Sequence, residues 1–240
     1  MPDFTESNRE RVEPVPPPYP PELQNVFDTI LPPGVPPLKL FTTLARVPRI
    51  WERFRAGSLL DRGPVPLRHR EIVIDRTSAR CGCRYEWGVH VAFFARRADL
   101  TGVELRALAH GDANDPAWRD EERLLVRMVD ELHDSASLSD ETWNALRASF
   151  SLEQVLELIA LVGFYHTVAF FANALRLPAE SWSAPYPPPD LPQEDTDAPT
   201  RTPASRGARP PPCSPASPTR CRERPPPDRP TCRSRSRCPR

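Results

Sequence analysis

Four residues in one stretch have the types and spacing to do chemistry: Glu71, Cys83, Glu86 and His90. Cys83, Glu86 and His90 stand at i, i+3 and i+7, so on a helix they fall within an arc of about 60°. Thiol, carboxylate and imidazole would then share one face. A carboxylate is rarely buried without a partner, and His90 is the natural partner for Glu86 at i, i+4. A neighbouring carboxylate raises a histidine pKa and a neighbouring imidazolium lowers that of a thiol, so the trio predicts an activated Cys83. Glu71, twelve residues before Cys83, joins the site only if the chain breaks near Gly82 and folds back. The bland alternative is a structural Glu86–His90 helix pair beside a small core cysteine. Metal binding fits poorly, because Cys-x-x-Glu-x-x-x-His is not the usual ligand set of a structural zinc site. Cys81-x-Cys83 is too short a spacing for an ordinary redox pair.

The elements that must position these residues are helical. From Leu38 to about Leu177 the apolar residues recur with helical period, and no convincing alternating strand run is present, so the predicted class is all-α. Leu40, Phe41, Leu44, Val47, Trp51 and Phe54 make one stripe, which Pro48 divides into two helices. Further helices are predicted over Leu67–Ala79, Cys83–Ala98, from Thr101 to Gly111, from Asp115–Pro116 onward, over residues 140–149 and from Ser151 to about Leu175. Thr101 with Glu104 and Ser151 with Gln154 read as capping boxes, and Asp115–Pro116 as an N-cap followed by proline. His69, His110 and His133 read as surface residues, His166 as a satisfied core histidine, and Asp75 and Arg76 as a helix-surface or subunit contact.

Composition divides the 240 residues unevenly. Proline numbers 33, and the 32 basic and 32 acidic side chains cancel. Residues 201–240 hold 11 arginines against Glu223 and Asp228, so the remaining 21 basic and 30 acidic groups make residues 1–200 net acidic. Residues 1–37, with 11 prolines, read as an extended arm anchored through Val26, Phe27, Ile30 and Leu31. Residues 38–180 read as the helical domain and 181–240 as a disordered Pro/Arg-rich tail, with nothing past residue 183 able to bury a core. The polar N-terminus carries no secretory signal, and four of six cysteines lie in the tail, which predicts a reduced cytoplasmic protein. Leu156–Leu175 is apolar enough to raise a membrane question, but Glu157, His166 and Asn173 argue for a buried core helix.

These landmarks together resemble the carboxymuconolactone decarboxylase and alkylhydroperoxidase (AhpD-like) superfamily over roughly residues 30–180. The resemblance is carried by Leu44-Ala-Arg-Val-Pro-Arg, Arg68-His-Arg-Glu71, Tyr85-Glu-Trp87 with His90, Leu138-Ser-Asp-Glu-Thr-Trp143, and Leu156-Glu-Leu-Ile with Val162-Gly-Phe-Tyr. It implies an AhpD-like domain of about six to eight helices, a trimer or hexamer, no cofactor and no metal. It also implies one of two chemistries. Glu71, Cys83 and His90 match the relay glutamate, first cysteine and histidine of the hydroperoxidase type, but Glu86 replaces the peroxide-attacking cysteine. A carboxylate forms neither sulfenic acid nor disulfide. The decarboxylase type instead has a glutamate four residues before its histidine, as Glu86 stands to His90. Three functions follow: acid–base chemistry on a small carboxylated or lactone substrate, thiol peroxidase chemistry at Cys83 resolved by Cys81 or an outside thiol, and a non-catalytic ligand-binding module.

The arginine tail has its own expectation. Arg-Ser-Arg-Ser-Arg at 233–237 would suit nucleic acid or an acidic surface. One lysine against 31 arginines points instead to a GC-rich coding source read out of frame, and that explanation is preferred. An intact mass near 27.1 kDa from the native source would refute it.

Overall fold

The computed structural model describes residues 10–189, which form helices α1 (Pro21–Ile30), α2 (Lys39–Leu44), α3 (Pro48–Ala56), α4 (Leu67–Arg80), α5 (Arg84–Phe94), α6 (Gly102–His110), α7 (Asp120–Ser135), α8 (Asp140–Ser149) and α9 (Leu152–Leu175). No strand occurs among the described residues, as the helical periodicity predicts. The arginine tail lies outside them.

Helix α4 is the axis of the domain. It packs against α5, α6, α7 and α9, and every residue from Glu71 to Ser78 is buried. A helix buried all round has no single apolar face, and its polar groups then need partners inside. Arg76 shows how this is met: its guanidinium takes Asp130 through two bonds of 2.8 and 2.9 Å and donates to the carbonyls of Leu108 and Gly111. It is therefore an interior clamp between α4, α6 and α7, not the surface contact expected. Asp75 is likewise interior, at 1% exposure. At the start of α4, Arg68 ties Glu104 of α6 and Glu122 of α7 together.

The turn after α4 sets the geometry of everything that follows. Gly82 has φ +60°, its N–H donates to Ala79, and the N–H of Cys83 donates to Ser78 at 2.8 Å. These are the two bonds of a Schellman motif, in which the left-handed position favours glycine. The chain reverses there, and α5 runs back along α4. Cys83 is consequently the N-cap of α5 rather than a residue within it, and the helix ends at Phe94, four residues short of the expected Ala98.

Helix α9 forms the second wall. It meets the length and apolarity of a membrane span. Its Val155, Leu158, Leu161, Tyr165, Val168 and Ala172 are nevertheless buried, and it packs against α4, α5 and α8. The capping boxes at Thr101 and Ser151 both form. Asp115 caps only a turn, accepting from Ala117 N–H, and α7 starts later at Asp120.

Two further expectations are corrected. The proline-rich arm contains α1, begun by Pro21 where a proline costs no helical bond, with Phe27 wedged between Tyr19 and Trp51. The chain after α9 also reaches past residue 183. Tyr186 packs on Trp87 with ring centroids 4.9 Å apart, and Ala184 N–H donates to the carbonyl of Gly88. A Cβ at Gly88 would stand 2.8 Å from the Ala184 oxygen, so glycine is what admits this strap.

Candidate functional site

The antiparallel return of α5 brings three of the four expected residues together. His90 is buried, with Nδ1 2.7 Å from Glu71 Oε2 on α4 and Nε2 3.2 Å from Glu86 Oε1 one turn earlier. The hydroxyl of Tyr165 on α9 completes the set, 3.0 Å from the same Nε2. Glu71 is held in turn by Arg70 Nε at 3.0 Å, and Arg70 also donates to the Leu60 carbonyl. Burial alone would lower the His90 pKa, but Glu71 and Glu86 override it and raise it to about 10. At neutral pH both ring nitrogens therefore carry protons, Nδ1 donating to Glu71 and Nε2 facing Glu86 and Tyr165.

Glu86, His90 and Tyr165 line a cavity of about 690 Å³, large enough for a small organic ligand. Its other walls are mostly apolar, including Leu40, Phe41, Trp51, Phe93 and Phe164. Arg97 stands at its exposed edge, stacked 5.5 Å over Phe94, and makes no ion pair among the described residues. The second oxygen of Glu86 is buried without a hydrogen-bond partner among those residues. A smaller cavity of about 320 Å³ beneath α1 contains Asp28 as its one titratable residue and lies apart from this cluster.

Cys83 does not join them. It is fully buried, it is absent from the cavity wall, and burial pushes its thiol up to about 12. The backbone amide of Glu86 pulls the other way without offsetting that burial. The expected activation of Cys83 by an imidazolium is therefore corrected: as the N-cap of α5 the residue leaves the arc that Glu86 and His90 share, and no water reaches its sulfur. Cys81, on the half-buried turn, has its thiol raised by burial as well.

Two members escaped sequence reasoning. Tyr165 sits on the buried stripe of α9 between Leu161 and Val168, and a tyrosine hydroxyl in a core stripe requires a partner. That signal was available in the spacing. Arg70 carried no such signal, since an arginine beside a glutamate is ordinary on an exposed helix. Asp75, one turn from Glu71, is a third buried acid; burial and then Glu71 raise its carboxyl well above the usual range, and neither oxygen has a partner among the described residues. His166, next in sequence to Tyr165, points away from the cavity and meets His133, which is half-buried rather than a surface residue.

Comparison with known proteins agrees with this architecture. Residues 45–125 match the model of the carboxymuconolactone decarboxylase family. Among solved structures, the chain is similar to an uncharacterized peroxidase-related protein from Silicibacter sp. TM1040, at 16% identity and TM-score 0.62 over 70% of this chain and 90% of that one. It is similar to an AhpD-core, peroxidase-related protein from Ralstonia eutropha JMP134 at 19% identity and TM-score 0.62, over 70% of this chain and 91% of that one. A protein of unknown function from Agrobacterium tumefaciens aligns at 20% identity and TM-score 0.52, over 57% of this chain and 94% of that one. At such identities the likeness establishes the fold. None of the curated proteins matches the chain.

Proposed function

We propose, from the match of residues 45–125 to the carboxymuconolactone decarboxylase family and the fold shared with AhpD-like proteins, that the chain is a member of that superfamily and a cofactor-free acid–base enzyme acting on a small carboxylated or lactone substrate. One observation carries this reading: a buried histidine held between two carboxylates and a tyrosine hydroxyl, at the wall of an otherwise apolar cavity.

The roles follow from position. Arg97 at the edge attracts the substrate carboxylate, and the apolar walls exclude water. When carbon dioxide leaves, the carbon–carbon bonding pair moves to the neighbouring carbonyl and forms an enolate. The Tyr165 hydroxyl donates to the enolate oxygen, and His90 Nε2 delivers the proton to carbon. Decarboxylation consumes one proton per turnover, and Glu86, beside Nε2 in the cavity, passes a replacement from solvent to Nε2 once the carbon dioxide has left. Among the described residues the Glu71 carboxylate bonds only His90 and Arg70, and it does not line the cavity, so it is a positioning residue that fixes the ring and keeps it charged. Isomerisation of a lactone would use the same groups: the Glu86 carboxylate takes a proton from one carbon, the enolate forms against the Tyr165 hydroxyl, and the proton returns at another carbon.

The test is release of carbon dioxide, or deuterium exchange into carbon, from a panel of small carboxylated lactones and β-keto acids. Turnover lost in His90→Ala and Glu86→Gln but kept in Cys83→Ser supports acid–base chemistry. Thiol peroxidase chemistry, which the names of the Silicibacter and Ralstonia neighbours suggest, gives the opposite pattern: dithiol-dependent peroxide consumption that Cys83→Ser abolishes. Ligand binding without turnover, unchanged in every variant, would mark a binding module. We further propose that the protein works in the reducing cytoplasm as a homo-oligomer assembled through the exposed Leu156 and Phe170 face of α9. A strict monomer by light scattering at micromolar concentration would contradict that assembly.

A further inference from the structure

On the side of α9 away from the cavity, three side chains from three separate elements converge. Cys81 lies at the C-cap of α4, His133 in the last turn of α7 and His166 in the middle of α9. Their Sγ and ring nitrogens all fall within 4.8 Å of one another. His133 Nδ1 is 3.0 Å from His166 Nε2 and 3.9 Å from Cys81 Sγ. We propose that this is a transition-metal site, with Cys81, His133 and His166 as three ligands to a zinc-class divalent ion and the fourth position open to water or an exogenous ligand.

The geometry supports this on three counts. Zinc bonds of about 2.05 Å to nitrogen and 2.3 Å to sulfur, set tetrahedrally, separate two nitrogens by about 3.3 Å and nitrogen from sulfur by about 3.6 Å. The His133–His166 and His133–Cys81 separations lie within about half an ångström of those edges and the Cys81–His166 edge is within 4.8 Å, so rotations of these half-buried side chains would close the site. Second, the outer contacts that orient ligands are already made. His166 Nδ1–H donates to the Val162 carbonyl at 2.8 Å, which leaves Nε2 as the lone-pair nitrogen facing the cluster. Cys81 is fixed through its backbone, with its carbonyl accepting from Asn173 Nδ2 at 2.9 Å. Third, the donor set is one thiolate and two imidazoles with no carboxylate, which selects zinc or cobalt over calcium or magnesium. The nearby Arg80 is paired to Asp130 and Asp134, so its charge does not stand alone against a cation.

The site uses none of the residues of the proton relay, and its test does not depend on turnover. The full-length chain, stripped with chelator under reducing conditions, is titrated with zinc by calorimetry and with cobalt by absorption. The expected result is one tight equivalent, a thiolate-to-cobalt charge-transfer band, and a melting temperature that rises with zinc. Cys81→Ser abolishes the band, and His133→Ala or His166→Ala weakens zinc binding by at least about 10-fold, the loss seen when even an outer contact is disturbed. Should a histidine variant fail to fold by circular dichroism, Cys81→Ser on its half-exposed turn carries the test alone. No zinc binding, or a cobalt band that survives in Cys81→Ser and so comes from one of the other five cysteines, would overturn the proposal.

Discussion

Tyr165 and His166 are neighbours on α9, yet they serve clusters of opposite character. Tyr165 turns inward to a histidine between two carboxylates; His166 turns outward to a second histidine and a thiol. His90 has its charge compensated on both nitrogens and is pushed up to about 10, so its chemistry is that of a proton. Among the described residues His133 contacts no carboxylate directly, and its neighbours Cys81 and His166 offer lone pairs instead. The comparison teaches that residue type alone does not decide what a histidine does. The partner supplied by the facing helix does, and here one helix supplies two kinds of partner one residue apart.

Breaking the inner cluster should have the largest effect. His90→Ala is expected to lower kcat by roughly 10²–10⁴, the usual contribution of a positioned acid or base. Glu71→Gln removes the charged partner from a buried imidazolium and should cost about 3–5 kcal/mol at neutral pH by urea denaturation. Its pH dependence identifies the cause. Because His90 rises from its ordinary 6.5 to about 10 on folding, its contribution is whole below about 6.5 and is lost as pH climbs through about 10. Wild-type stability should fall across that window, and Glu71→Gln should flatten the fall.

Smaller changes separate the clusters further. Gly82→Ala forces a left-handed conformation on alanine and should cost about 1–2 kcal/mol. Since Gly82 stands between Cys81 and Glu86, it should weaken both turnover and zinc binding, whereas Glu71→Gln should leave zinc binding intact. Tyr165→Phe should cost about 1 kcal/mol of stability for the lost hydrogen bond, with a reduction in kcat that exceeds any change in KM. The smallest effect belongs to Cys81→Ser in the metal-free protein, within about 0.5 kcal/mol in thermal denaturation.

Much of this organisation was legible in residue order, and the failures have physical reasons. The i, i+4 spacing of Glu86 and His90 and the glycine at 82 together implied that Glu71 could fold back onto His90. Cys83 was misplaced because periodicity assumes the helix continues, whereas the Schellman turn puts Cys83 outside it. Asp75 and Arg76 looked like surface charges because an all-round buried helix such as α4 has no amphipathic signature to betray it. The helix in the proline-rich arm was hidden because Pro21 starts a helix as readily as proline breaks one. The outer cluster could not be found at all, since its members are separated by 52 and 33 residues and meet only after α4, α7 and α9 have packed.

The central claim is that Glu71 and Glu86 hold His90 as a buried imidazolium facing the cavity. The direct measurement is a nitrogen-15 NMR titration of His90 in the wild type and in Glu71→Gln. The account predicts that both ring nitrogens stay protonated through neutral pH and titrate only near 10, and that Glu71→Gln brings the midpoint down. A wild-type His90 that titrates near its ordinary value of 6.5, or a midpoint unmoved by Glu71→Gln, would contradict it.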